Sequence, residues 1–183
     1  ARQRKLLDMD ICKSLDEKGV WIVPCLNPDG VEIAVSGAKT AGTFGKFITR
    51  ISQEFPGGWS ANVRGIDINR NFDAGFEQAV RLWEADGITS PRPKGFGGRL
   101  PESEPETKAI VNFIKAFDIK KLLAFHSQGE ELYYSYGEDT PACSPFIAQM
   151  LAASCGYTLC DPTGASAYAG LKDWFIHAFK RPG

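Results

Sequence analysis

Leu122-Leu123-Ala124-Phe125-His126-Ser127-Gln128-Gly129-Glu130-Glu131 is an apolar run that delivers a histidine and then turns polar and glycine-bearing. A continuous apolar run of this length reads as a strand buried on both faces. In α/β proteins the ends of such strands are where catalytic groups and metal ligands sit. His126 is thus a candidate ligand, one of two histidines in the chain. Alone, a strand-end histidine is more often structural, so the reading depends on what surrounds it.

Working outward, Ser103-Glu104-Pro105-Glu106 reads as a capping box with Ser103 at the N-cap, opening a helix with Ile110, Phe113, Ile114 and Phe117 on one face. Val20-Trp21-Ile22-Val23-Pro24-Cys25 is a second short buried strand, and Asn27-Pro28-Asp29-Gly30 a turn. Leu6, Leu7, Ile11 and Leu15 predict a helix over residues 2–18 that Gly19 ends. Further helices are expected near 43–53, over 75–85, over 144–155 up to Gly156, and near 171–179. A strand at 132–136 follows the histidine block. Strands alternating with helices predict an α/β fold: a mixed, largely parallel twisted sheet with helices on both faces. The 183 residues suit one domain, residues 1–183, rather than two.

Composition narrows the partners. A net charge of −1 gives no reason to expect nucleic acid or an acidic membrane surface. No window approaches the roughly 18 apolar residues of a membrane span. Five scattered cysteines, with no C-x-x-C pair, read as small buried hydrophobes in a reducing compartment, which leans towards the cytoplasm.

The second chemical constellation is Arg64-Gly65-Ile66-Asp67-Ile68-Asn69-Arg70-Asn71-Phe72. In an extended backbone the alternation puts Asp67 and Asn69 on one face and both isoleucines on the other. Arg70 adds the planar fork that best matches a carboxylate. A salt-bridged structural loop is the competing reading.

The run from Gly65 to Phe76 resembles the substrate-carboxylate motif of the zinc carboxypeptidase family. Asn27-Pro28-Asp29-Gly30, Ser103-Glu104-Pro105-Glu106-Thr107 and His126-Ser127-Gln128 are similar to other blocks of that family, in its order. The resemblance spans roughly residues 20–176. It implies a zinc site with His126 as the third ligand, its partners a histidine and a glutamate from an H-x-x-E block, and Asp67 as the carboxylate that orients the first of those ligands. It implies Asn69 and Arg70 as the clamp on the substrate's terminal carboxylate, and Tyr168 as the tyrosine that closes over it. Arg64 is the candidate for stabilising the oxyanion, with Arg50 a rival.

Two departures accompany the resemblance. No H-x-x-E block occurs, and His177 falls in a predicted helix as a surface or packing residue. The family's general-base glutamate follows a stretch like Lys180-Arg181-Pro182-Gly183, where this sequence stops. A catalytic zinc takes three protein ligands and an open position, so the remaining donors are expected outside these residues, as in a fragment of a larger enzyme.

His126-Ser127-Gln128-Gly129-Glu130-Glu131-Leu132-Tyr133-Tyr134 resembles the bacterial γ-D-glutamyl-diaminopimelate peptidase branch. Lys172, just before Asp173-Trp174, corresponds to the base of the family's specificity pocket, where lysine favours a carboxylate-bearing side chain. The expectation is a peptidase acting on a peptide with a free carboxylate, at the γ-D-Glu–diaminopimelate bond. A general carboxypeptidase and a non-catalytic peptide-binding module are the alternatives.

Overall fold

The computed structural model describes residues 5–6, 9–10, 13, 16–52 and 58–183. Strand β1 (Lys5–Leu6) pairs antiparallel with β2 (Met9–Asp10), so the helix expected over 2–18 is a hairpin at these positions. Residues 16–17 are helical, and Leu7, Ile11 and Leu15 lie outside the described residues. Helical spacing specifies a helix only where a partner surface receives the apolar stripe.

The Asn27–Gly30 stretch opens helix α1 (Pro28–Ser36) instead of forming a free turn. Asn27 is its N-cap: Oδ1 accepts from the Gly30 N–H at 3.0 Å, and Pro28 sits where a missing N–H costs nothing. The same amide donates to the Ala61 carbonyl at 3.1 Å, tying the helix start to the 60–61 loop. Glycine is required at position 30, because a Cβ would stand 2.2 Å from Asn27 Nδ2 and 2.4 Å from Ala61 O. A 3₁₀ segment (Ala38–Phe44) and helix α2 (Gly45–Ile51) then close a small core of Ile33, Ile48, Trp59 and Ala61.

Helix α3 (Phe76–Ala85) buries Phe76, Ala79 and Trp83 against Ala169, with Phe76 and Trp83 edge to face. Helices α4 (Pro105–Ala116) and α6 (Leu171–Phe179) enclose the principal core. Ile110, Val111 and Ile114 of α4 meet Leu171, Trp174 and Phe175 of α6, with Ile68, Phe72 and Ala74 between them. Each large side chain fully buried there stabilises by roughly 1.5–3 kcal/mol.

Strand β3 (Glu131–Leu132) runs parallel to β4 (Thr158–Leu159), with helix α5 (Ser144–Cys155) crossing between them. Gly156, left-handed at φ 78°, ends α5 as the sequence predicts. This β–α–β unit is the parallel element expected of an α/β fold. The larger sheet is less complete than predicted. Residues 20–25 and 122–126 adopt no strand, and among the described residues they find no ladder partner. Ile22 is 80% exposed and Phe125 91% exposed, although Trp21 packs on Phe113 and Phe117. An apolar run reports that a segment is to be covered, not what covers it. Among the described residues no helix is long and apolar enough to cross a membrane.

Candidate active site

The 66–72 segment hangs between α4 and α6, anchored by buried Ile66, Ile68 and Phe72. Residues 68–70 form a 3₁₀ turn, not the extended strand that would place Asp67 and Asn69 on one face. The two isoleucines point inward as expected, while the polar pair diverges. Asp67 Oδ2 accepts from the Gly95 N–H at 2.8 Å, and Asn69 Oδ1 accepts from the Leu171 N–H at 3.0 Å. The turn wins because it lets Asn69 cap the start of α6 while Arg70 reaches a different loop.

Arg70 donates from Nη1 to the Ala165 carbonyl at 3.1 Å and is half-buried. Backbone bonds between Phe72 N and Ala169 O (3.1 Å) and between Ala169 N and Ala74 O (2.8 Å) bind the same two segments. Tyr168 packs its ring edge against Gly75, where a Cβ would lie 2.6 Å from Tyr168 Cδ1 and 3.0 Å from the Tyr136 hydroxyl. Asn69, Arg70, Tyr168 and α6 thus form one constellation.

Lys172 joins it from the first turn of α6. Its ammonium donates to the Ser135 carbonyl at 2.6 Å and also to Asp173 Oδ1. Asp173, almost fully buried, turns its other oxygen onto the Gly170 N–H at 3.1 Å. The loop that supplies Ser135 is held further along α6, where Asp139 pairs with His177 at 2.6 Å and with Lys180. His177 is thus a surface hydrogen-bond partner of Asp139, in keeping with its sequence reading. Burial foremost, then the Asp173 carboxylate, pushes the Tyr136 phenol up, so it remains a hydroxyl donor at neutral pH.

Arg64 lies on the other side of the turn. Its Nε stands 3.6 Å from Glu104 Oε2, a carboxylate with 1% exposure. The expected capping box at Ser103 does not form: α4 begins at Pro105 with Glu104 at the N-cap. Proline at the first helical position was the signal that places the cap one residue later. Asn62, Asn71 and Glu104 are buried polar groups that sequence reading did not single out. Arg50, the rival, lies over the Phe47 ring of its own helix at 5.7 Å.

His126 is exposed and has no hydrogen-bond partner among the described residues. Nor do any three His, Cys, Asp or Glu side chains gather there into a metal-binding group. Catalytic zinc needs three protein donors, so the described residues do not by themselves fit the metal. Asp67 retains one carboxylate oxygen for a further partner.

The family model for zinc carboxypeptidases matches residues 6–163. The chain is 34% identical over 166 residues to gamma-D-glutamyl-L-diamino acid endopeptidase 1 of Lysinibacillus sphaericus, covering 88% of this chain and 40% of that protein. It is 31% identical over 176 residues to the uncharacterized protein YqgT of Bacillus subtilis, covering 93% of this chain and 45% of that one. To carboxypeptidase A1 of Sus scrofa it is 32% identical over 129 residues, or 70% of this chain and 27% of that enzyme. The chain therefore spans less than half the length of each of these relatives. No solved structure matches it significantly. With its α/β architecture and four motif blocks in order, the chain belongs to the zinc carboxypeptidase family.

Proposed function

We propose that the chain carries the substrate-positioning face of a zinc-dependent peptidase that cleaves a peptide bond beside a free carboxylate. The proposed bond is γ-D-Glu–diaminopimelate in cell-wall peptides. The observation that carries this reading is the joining of the 69–70 turn to the 165–172 segment through Asn69–Leu171 and Arg70–Ala165. That junction gathers the proposed clamp, the closing tyrosine and the pocket lysine into one unit.

In this reading Arg70 spends one donor on Ala165 and keeps the rest of its fork for the substrate's carboxylate. Asn69 uses its carbonyl oxygen on Leu171 N, leaving its amide nitrogen to donate beside Arg70. Hydrogen bonds to charged groups stabilise by about 1.5–3 kcal/mol each, so the pair contributes roughly 3–6 kcal/mol to holding the carboxylate. Lys172 is the proposed pocket lysine that favours a carboxylate-bearing side chain. Asp173 beside it makes the pair neutral overall, so Lys172 offers one directed N–H in place of a net positive field. A carboxylate that can meet that N–H is favoured over one that merely carries charge. His126 is the proposed zinc ligand, with the other donors supplied from outside the described residues. Tyr168 closes over bound substrate, and a site reading peptides of the cytoplasm or of the envelope would use the same contacts.

The 34%-identical relative, by name a gamma-D-glutamyl-L-diamino acid endopeptidase, supports a γ-D-Glu–diamino acid bond, and the match to carboxypeptidase A1 favours a second reading, removal of C-terminal residues. The protein expressed from its own gene should release diaminopimelate-containing product from γ-D-Glu–diaminopimelate peptides. Chelation should stop the reaction and zinc restore it. His126→Ala should abolish turnover and weaken zinc retention, with little effect on stability because the side chain is exposed and unpartnered. Faster release of amino acids from ordinary peptide C-termini would favour the second reading. Chelator-insensitive turnover, or full activity in His126→Ala, would remove the metal assignment.

A further inference from the structure

We propose that Glu104 is the positioning residue for Arg64, drawing its guanidinium electrostatically from the Nε side so that the terminal nitrogens are left for the reacting carbonyl. The proposal rests on the reading of Arg64 as the oxyanion-stabilising arginine. An acid at a helix N-cap ordinarily turns its side chain onto the first free N–H groups. Glu104 makes no such bond and reaches away from α4 towards the 62–64 turn. There Oε2 accepts from Asn62 Nδ2 at 2.8 Å and faces Arg64 Nε at 3.6 Å, while Oε1 accepts from the Ser103 hydroxyl at 2.9 Å.

Asn62 completes the frame. Its carbonyl oxygen accepts from the backbone N–H of Arg64 at 3.0 Å and of Ile66 at 3.2 Å. Its amide donates to the same Glu104 oxygen that faces Arg64, and lies 3.3 Å from Glu106 Oε2. The backbone and the side chain of Arg64 are therefore both referenced to one carboxylate. Burying a carboxylate is tolerable only with hydrogen bonds and a cation, and Arg64 is the cation paired with it. The ion pair approaches the guanidinium from the Nε side at 3.6 Å, and the Arg64 side chain remains 54% exposed, which leaves the terminal nitrogens open to a ligand. A purely structural ion pair would gain most from a bidentate, buried guanidinium, which is not the arrangement here.

The test uses the protein expressed from its own gene. Arg64→Ala should lower kcat by about a hundredfold, the usual loss of an oxyanion donor. Glu104→Gln keeps the shape and should lower kcat roughly tenfold, with KM within about twofold, by loosening that donor. Added to Arg64→Ala, it should change kcat no further. A readout independent of peptidase activity is the Arg64 Nε chemical shift in nitrogen-15 NMR. It should differ from that of exposed Arg99 in the wild type and move towards it in Glu104→Gln. Unchanged kcat in folded Glu104→Gln, effects that multiply in the double variant, or an unmoved Arg64 Nε shift would each overturn the proposal. If Glu104→Gln does not fold, the wild type decides: an Arg64 Nε shift equal to that of Arg99 also overturns it. Unaltered kcat in Arg64→Ala would instead reject the oxyanion assignment, and the NMR signal would still decide the positioning.

Discussion

Removing the Asn71 side chain should be among the most destabilising single changes in this chain. The residue is fully buried, and Nδ2 donates to the Gly97 carbonyl at 2.7 Å, the Leu100 carbonyl at 3.1 Å and the Ser103 hydroxyl at 3.0 Å. Its Oδ1 accepts from the Glu104 N–H at 3.1 Å. In Asn71→Ala the Leu100 carbonyl can turn to water, because that residue is exposed, and Ser103 keeps its bond to Glu104. The Gly97 carbonyl and the Glu104 N–H are stranded in the interior. At about 1–3 kcal/mol for each stranded group, the loss should be about 3–4 kcal/mol. Urea unfolding followed by tryptophan fluorescence measures it, read as a shift of midpoint at constant slope. Asn71→Asp is the sharper control, since it keeps the shape and the acceptor for Glu104 N. It places an oxygen against two carbonyls, so at neutral pH it should cost at least as much as alanine. A loss below about 1 kcal/mol in both variants would refute the reasoning, showing that the 97–104 segment is not held by this amide.

Lys172→Ala should lower kcat/KM for a diaminopimelyl peptide about tenfold more than for its lysyl analogue, the worth of one hydrogen bond to a charged group. Equal losses in parallel assays would remove Lys172 from the specificity pocket. Gly97→Ala would set a Cβ 2.1 Å from the Arg70 carbonyl and 2.4 Å from Trp83, so it should destabilise by about 2 kcal/mol or more and raise KM by displacing Arg70. Normal KM and midpoint would show that the loop gives way freely. Lys180 first, and His177 next, hold the Asp139 carboxyl below its usual range. Its folded value lies below the unfolded ~3.9, so its contribution is present above about pH 4 and fades as pH falls through the lowered value. Asp139→Asn should flatten that acid limb in thermal melts at pH 2–5; an unchanged limb would mean that the pair does not form in solution.

Helices were legible where an apolar stripe and a local terminator agree. The ends of α5 at Gly156 and the extent of α6 follow from residues within one turn of each boundary. Strands were not: residues 20–25 and 122–126 read as buried apolar runs, yet among the described residues they find no ladder partner. At the site, the residue types in the 64–72 motif carried the chemistry, but their directions did not follow from alternation. A 3₁₀ turn sends Asp67 to Gly95 and Asn69 to Leu171, contacts 28 and 102 residues apart along the chain. Glu104 was hidden in plain view, inside a stretch that reads as a cap for its own helix.

The bare apolar strips at 20–23 and 123–125 also have a meaning for proteostasis. Val20, Trp21, Ile22, Val23, Leu123 and Phe125 stand exposed on backbone that makes no ladder. Short β-branched and aromatic stretches in this state are what self-associating chains and chaperones engage. A surface laid over those strips would remove that liability, which the helical core, packed elsewhere, does not.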